Sequence, residues 1–404
     1  MQSVIDISNI TFFQGGFYYP GVLNIDLASF FKSILFIFFF IILIRSFSLN
    51  KKNFKFSRSI MIFLYHYLFV IFYVYITATT ATSDSTTYFQ QGMWYDNLER
   101  ENSMNQAVLM RVVNILTRYF YVDYLSINIL FGSFGGLGLA LLDYMLQSRL
   151  KDSNNILKYL ATGLVLLPGI NFWTSSLGKD AITFFCLVAI FYLAVFQKKN
   201  LIIILILIST IFIMRPHIAT CILAGVLADK IWSFRCSFLF KVIFLFFAAS
   251  VTLVVFTKLI GLKNSNYFNL IEIYDYVMAA SSMQKMYFVD RPGFIDSREF
   301  NIFKVVFYFH FYPLFDFSSL RNFYISVENL FLFGTILYLL SKISYKNFLD
   351  NHAVLFLSYV ILSSIVLSLF IADLGIIWRQ KWMTTTFLLL FLFNKIPFQK
   401  NKSK

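Results

Sequence analysis

Between Leu27 and Ile44 the chain runs for eighteen residues with Lys32 as its single charge, and stretches of this kind recur along its length. A hydrocarbon layer about 30 Å thick is crossed by about 20 apolar residues wound as a helix. In lipid the chain must satisfy its own backbone N–H and C=O groups, so only helices and closed barrels can span. Further spans read at 60–79, 125–146, 156–167, 181–196, 201–214, 218–232, 240–260, 325–341, 353–372 and 382–394. The expected fold is all-α, a polytopic integral membrane protein with about 11 transmembrane helices (10–13) in one domain over residues 1–404. Composition excludes a soluble domain. Of the residues, 59% are hydrophobic and 13% charged, where soluble domains carry about 25% charged. The 52 Phe and 24 Tyr suit lipid-facing helices with aromatic belts.

A net charge of +14 invites a nucleic-acid reading, which fails once the charges are sorted by side. Arg45, Lys51, Lys52, Lys55 and Arg58 follow the first span with no acid among them. Cytoplasmic loops collect Lys and Arg, so this loop is inner and the N-terminus outer. Only Asp6 and Asp26 are charged before Leu27, so a cleaved signal peptide is not expected. Eleven crossings leave Lys395, Lys400, Lys402 and Lys404 inside. This threading puts 19 of the 34 Lys and Arg on inner loops and ends, and 14 outside. Of the 20 acids only Asp143, Asp152, Asp229 and Asp350 fall inside. The positive balance is a topology signal, and the expected location is a bacterial inner membrane.

Two outer segments are too long to be connectors, 80–124 and 261–324. Each is expected to hold an amphipathic surface helix, at 105–122 and 299–311. Long ordered loops usually carry function, which puts the working face outside. Several spans are also short, ending at Pro168-Gly169, at Arg215-Pro216-His217, or starting after Arg379 and Lys381. Polar residues there would lie below the outer headgroups, where irregular backbone is tolerated only inside protein or along a cavity. Asn171 to Asp180 (with Trp173), Arg215 to His217 and Asp373 to Lys381 are therefore expected to share one outward-open cleft. Its cations are Lys179, Arg215, Arg379 and Lys381. Arginine forks and lysine point charges suit a phosphorylated lipid, and they would stabilise charge growing on a phosphate leaving group. Asp84, Asp96, Glu99 and Glu101 are candidates for a general base.

Asp84-Ser-Thr-Thr-Tyr88, just after a span, resembles an Asp-x-x-x-Tyr pattern in the first outer loop of multi-pass glycosyltransferases and polysaccharide polymerases. Pro168-Gly-Ile-Asn-Phe-Trp173-Thr-Ser-Ser-Leu-Gly-Lys179-Asp180 resembles a Pro…Trp-Ser…Lys-Asp segment of such proteins. Arg215-Pro-His217 and Leu374-Gly-Ile-Ile-Trp-Arg379-Gln-Lys381 are similar to their later arginine-bearing outer ends. The chain thus resembles the O-antigen and exopolysaccharide polymerases (the Wzy- and EpsG-like group), with a GT-C-like architecture. It departs from the aspartate-pair loops of many related transferases, since Ser83 and Ser85 flank Asp84.

The resemblance implies an enzyme that joins undecaprenyl-diphosphate-linked oligosaccharide repeats on the periplasmic side. It further implies that Arg215 and Arg379, with Lys179 and Arg291 as a further candidate, hold the donor diphosphate, while Asp84 or another outer carboxylate orients the acceptor hydroxyl. Tyr88, Trp173, Asp180, His217 and Lys381 join as substrate-binding residues. Expected partners are the lipid-linked oligosaccharide and membrane lipid, with a chain-length regulator left open. No nucleic acid and no resident cofactor or metal are expected, with Mg²⁺ carried by a diphosphate left open.

Plainer readings compete at each position. Arg215 could snorkel to the headgroups, and Arg379 and Lys381 could be interface anchors beside Trp378 and Trp382. Arg291-Pro-Gly293 reads as a turn, Gly132-x-x-x-Gly136 as close helix packing and Glu328 equally as a helix-end residue or a catalytic one. Gly178-Lys179 lacks phosphate-loop spacing. His66, His217, His310 and His352 lack metal-ligand spacing, and Cys186, Cys221 and Cys236 form no disulfide framework. The rival functions are a transferase adding one sugar from a polyprenyl-phosphate donor, and a flippase for the lipid-linked oligosaccharide. A flippase would show structural repeats, and no repeat is seen in the chain.

Overall fold

The computed structural model describes residues 11–13, 16–18, 27–49, 55–80, 83–93, 104–196, 200–233, 243, 294–295, 301–343, 352–369 and 373–397. Helices occupy ten of the eleven stretches read as spans, while 240–260, apart from residue 243, lies outside the described residues. Among the described residues, six helical segments are long and apolar enough to cross a membrane. They are Leu27–Leu49, Phe56–Thr77, Tyr124–Arg149, Asn155–Trp173, Lys179–Phe196 and Leu320–Lys342. Leu201–Met214, Ile302–Phe311, Ala353–Ser368 and Trp382–Asn394 are shorter apolar helices. The protein is a helical integral membrane protein. Beside the helices stands a short hairpin, β1 (Thr11–Phe13) antiparallel to β2 (Gly16–Tyr18), built from β-prone Thr, Phe and Tyr.

The chain divides into two compact units, Met1–Tyr144 with Asn171–Val188, and Met145–Ile170 with Ala189–Lys404. The first holds α1 (Leu27–Leu49), α2 (Phe56–Thr80), α3 (Asp84–Met93), α4 (Met104–Phe120) and most of α5 (Tyr124–Arg149). Helix α1 has 23 residues, about 34 Å at 1.5 Å per residue, enough for a bilayer. Leu27, Leu35 and Phe38 on it are 73%, 66% and 60% exposed. In water a face this apolar would be a binding or aggregation surface, whereas in lipid it is simply solvated. Its opposite face packs Phe40 and Ile44 against Phe63, Tyr67 and Val70 of α2 and Ile129 of α5. Arg58 of α2 grips Asp143 of α5 with both fork nitrogens, at 2.7 and 2.8 Å. Helix α4 covers the stretch expected to be amphipathic and packs on α3, where Gly92 leaves room for Val113.

The second unit holds α6 (Asn155–Leu166), α9 (Leu201–Met214), α10 (Pro216–Ser233), α11 (Ile302–Phe311), α12 (Leu320–Lys342), α13 (Ala353–Leu369), α14 (Leu374–Gln380) and α15 (Trp382–Asn394). It also takes the start of α7 (Pro168–Trp173) and the end of α8 (Lys179–Phe196), from Ala189 on. Its centre is an aromatic stack: Phe191 of α8 lies 4.5 Å from Phe356 of α13 and 4.6 Å from Phe387 of α15. Tyr359 donates its hydroxyl to the Met383 carbonyl at 2.6 Å. The short span expected to stop at Leu167 bends instead of ending. Proline at a first helical position forfeits only an N–H that would be unpaired anyway. Helix α7 therefore starts one residue after α6, and the apolar segment reaches 19 residues.

Candidate functional site

In the first unit, glycines of α5 let an irregular segment come close. A Cβ on Gly132 would sit 2.7 Å from the Ser175 carbonyl oxygen, and one on Gly135 would run into that of Thr174. The expected close packing is thus partly against backbone beyond α7, as well as against Val70 and Phe63 of α2. Asn128 then fixes the segment, its Oδ1 accepting the Leu177 N–H at 2.8 Å and the Ser85 hydroxyl at 3.1 Å. The Tyr124 hydroxyl bonds Thr77 at 2.8 Å and Ser85 at 2.9 Å. These bonds tie α2, α3 and α5 together and set where α3 points.

Asp84 is the exposed first residue of α3, and Tyr88 one turn on is buried. The Lys179 ammonium lies 5.8 Å from the Tyr88 ring centroid, within cation–π range. Two patches that are far apart in sequence therefore meet. Asp180 is buried in the first turn of α8, where the helix dipole favours an acid. Trp173 closes α7 half-buried. His66 contacts the Asn171 amide oxygen at 3.2 Å, in the interior beside the same segment.

In the second unit, two of the expected cations sit at helix breaks. Arg215 is 7% exposed and stands between α9 and α10. Its N–H caps α9 on Ile211 at 2.6 Å, and its carbonyl accepts Ile218 at 3.0 Å and Ala219 at 3.1 Å. Pro216 makes the break, because it cannot donate back into α9. His217 is half-buried one residue further. Lys381 separates α14 from α15 and is 1% exposed. Its ammonium donates to Asn329 Oδ1 at 2.5 Å and lies 4.7 Å from the Trp382 ring. Helix α14 is held by Asp373, whose carboxylate accepts Gly375 N–H at 2.7 Å and Ile376 N–H at 3.3 Å. That helix carries half-buried Arg379 and Trp378. Arg291, the remaining expected cation, lies outside the described residues.

No family model, curated protein or solved structure matches this chain.

Glu328 emerges as a member of this group. The sequence leaves it open between a helix-end residue and a catalytic one; it lies eight positions past the start of α12 and is 4% exposed. One carboxylate oxygen accepts the Gly169 N–H at 2.5 Å, and the other accepts the Trp378 indole at 2.8 Å. It interacts electrostatically with Lys381 as well. The carboxylate therefore joins the start of α7 to α14. Gly169 is required there, because a Cβ would fall 2.5 Å from Glu328, 2.6 Å from Trp378 and 2.7 Å from Trp382.

His310 extends the network. Its Nδ1 pairs with Thr385 at 2.8 Å and its Nε2 with Ser364 at 2.9 Å, and Thr384 meets Ser363 at 3.1 Å. The signal for Glu328 was present in the sequence as an acid within an apolar helix. No local pattern flags His310, since its partners lie 54 and 75 residues away. Among the described residues no group of three or more His, Cys, Asp or Glu could hold a metal ion.

Proposed function

We propose that the chain is a glycosyltransferase-type polymerase joining undecaprenyl-diphosphate-linked oligosaccharide repeats into O-antigen or another surface polysaccharide. The observation that carries this reading is Lys381, a cation 1% exposed at a helix break, coupled to buried Glu328. Facing lipid, such a charge costs about 2.5–3.5 kcal/mol on insertion scales. Ionisable groups retained in that setting mark substrate pathways. An anionic headgroup bound inside protein supplies a reason for both Lys381 and Arg215.

In the proposed step an acceptor sugar hydroxyl attacks the donor's anomeric carbon. The bond from that carbon to the diphosphate oxygen breaks, and undecaprenyl diphosphate leaves with the electron pair. A carboxylate takes the hydroxyl proton. Arg215 and Arg379 grip the diphosphate by charge-assisted bonds and stabilise its growing charge. Glu328, with both oxygens already engaged, is a positioning residue rather than the base. Within the first unit, Asp84, exposed on α3, remains the candidate base, and Lys179, beside Tyr88, a candidate cation for the donor diphosphate. The sorting of charge supports a bacterial inner membrane with a periplasmic N-terminus and a cytoplasmic C-terminus.

Gel analysis of surface glycolipid from cells carrying single substitutions tests the reading. Arg215→Ala and Arg379→Ala should each abolish long polymer while leaving one repeat on the lipid core. Long polymer persisting in both variants would sink the assignment. An incomplete repeat would instead favour the single-sugar transferase, and an undecorated core the flippase.

A further inference from the structure

A second site stands away from the residues considered so far, in a cavity of about 430 Å³ within the second unit. That volume falls in the range of pockets that take small molecules. Its wall gathers Ser148 and Arg149 near the end of α5, His352 ahead of α13, and Lys395 just after α15. Each comes from an inner loop or helix end in the charge sorting, so the cavity lies at chain ends assigned to the cytoplasmic face. Phe356 and Phe391 supply its apolar part.

Three features of this wall suit an anion. The Arg149 guanidinium caps α15, donating to the Asn394 carbonyl at 3.1 and 2.6 Å and to that of Ile396 at 3.2 Å. It thereby offsets the negative end of that helix dipole, which would otherwise repel an anion at this spot. Lys395 is 9% exposed, held 5.4 Å over the Phe391 ring. The Ser148 hydroxyl is buried and has no hydrogen-bond partner among the described residues. A buried polar atom left unpaired is destabilising unless a ligand or water supplies the partner. His352 Nδ1 lies 3.4 Å from the Asp229 carboxylate, and Lys395 and Arg149 are the Lys and Arg of the wall.

The geometry points to a binding site for a phosphate-bearing anion in this cavity, held by Lys395 and Ser148 with Arg149 behind them. Basic pockets between helices on the cytoplasmic side are where anionic lipid headgroups bind, and free phosphate carries the same chemistry. The inference does not depend on glycan polymerisation and would stand if that reading failed.

The test uses the purified full chain, delipidated in detergent. Its melting temperature is read against added phosphatidylglycerol, phosphatidylcholine or inorganic phosphate, and lipid retention is read by native mass spectrometry. One phosphatidylglycerol should be retained in preference to phosphatidylcholine, with a rise in melting temperature. Lys395→Glu should weaken that binding about tenfold or more, Ser148→Ala several-fold, and Lys395→Arg little. Stabilisation by inorganic phosphate alone, lost in Lys395→Glu, would support the site and name free phosphate as its source. Equal binding of both lipids with no effect of phosphate would overturn it. So would an anionic preference unchanged in both Lys395→Glu and Ser148→Ala. Monodisperse elution of each variant separates lost binding from lost folding, and Ser148→Ala keeps the test alive if Lys395→Glu misfolds.

Discussion

Gly169 shows how little room the Glu328 site leaves. The three atoms that a Cβ would strike belong to Glu328, Trp378 and Trp382, each fixed by packing or hydrogen bonding. Gly169→Ala should therefore lower stability by about 1–3 kcal/mol, as overpacking does. Gly334→Ala, in α12 with nothing within 4 Å of the added carbon, should gain up to about 1 kcal/mol from helix propensity. Thermal unfolding in detergent compares the two, and equal shifts would contradict the packing argument. Lys381 and Glu328 make a second residue-scale case. The two interact electrostatically without a direct ion pair, and removing either side chain leaves its buried hydrogen-bond partners unpaired, at a cost of about 1–3 kcal/mol. Lys381→Met with Glu328→Gln should recover part of the loss, with a coupling of about 0.5–3 kcal/mol in a double-mutant cycle. Purely additive effects would mean the two charges act separately.

Among the elements, α12 depends on the turn that starts it. Ser319 caps the helix, its hydroxyl accepting the Asn322 N–H at 3.1 Å. Asp316 accepts the Ser318 N–H at 2.9 Å, the Ser318 hydroxyl at 2.6 Å and the Asn322 amide at 2.9 Å. These bonds, led by the Ser318 hydroxyl, hold the Asp316 carboxyl below the usual carboxylate range. A carboxyl lowered on folding stabilises above its unfolded value of about 3.9 and stops doing so as pH falls through the folded value. Hydrogen exchange, corrected for its intrinsic pH dependence, should show Ser318 protection falling below about pH 4, and Asp316→Asn should flatten that fall. Protection that ignores pH in the parent chain would contradict the assignment. The elements themselves were largely legible, because apolar runs of near-bilayer length announce helices, whereas the caps that Asn154, Asn200 and Asn301 supply emerge from the structure. The link from α6 to α7 was misread as a stop, since proline breaks a helix from within but is favoured at its first turn.

For the whole molecule, membrane class and helical fold could be read from composition and apolar length alone, because the bilayer imposes both. The residue pairings could not. Glu328 meets Gly169 across 159 positions and Lys381 meets Asn329 across 52, distances over which a single sequence carries no contact signal. The meeting of Tyr88 with Lys179 was anticipated only as two patches of one resemblance. We propose that charge buried in so apolar a chain serves to handle a charged lipid substrate. The most direct test is reconstitution of the purified full-length chain with undecaprenyl-diphosphate-linked repeat units, following glycan length and free undecaprenyl diphosphate by mass spectrometry. The account predicts that glycans lengthen by whole repeats, with one undecaprenyl diphosphate released per joining step, and that Arg215→Ala does neither. Lengthening at the parental rate by Arg215→Ala and Arg379→Ala, or no lengthening by the folded parent chain, would contradict it.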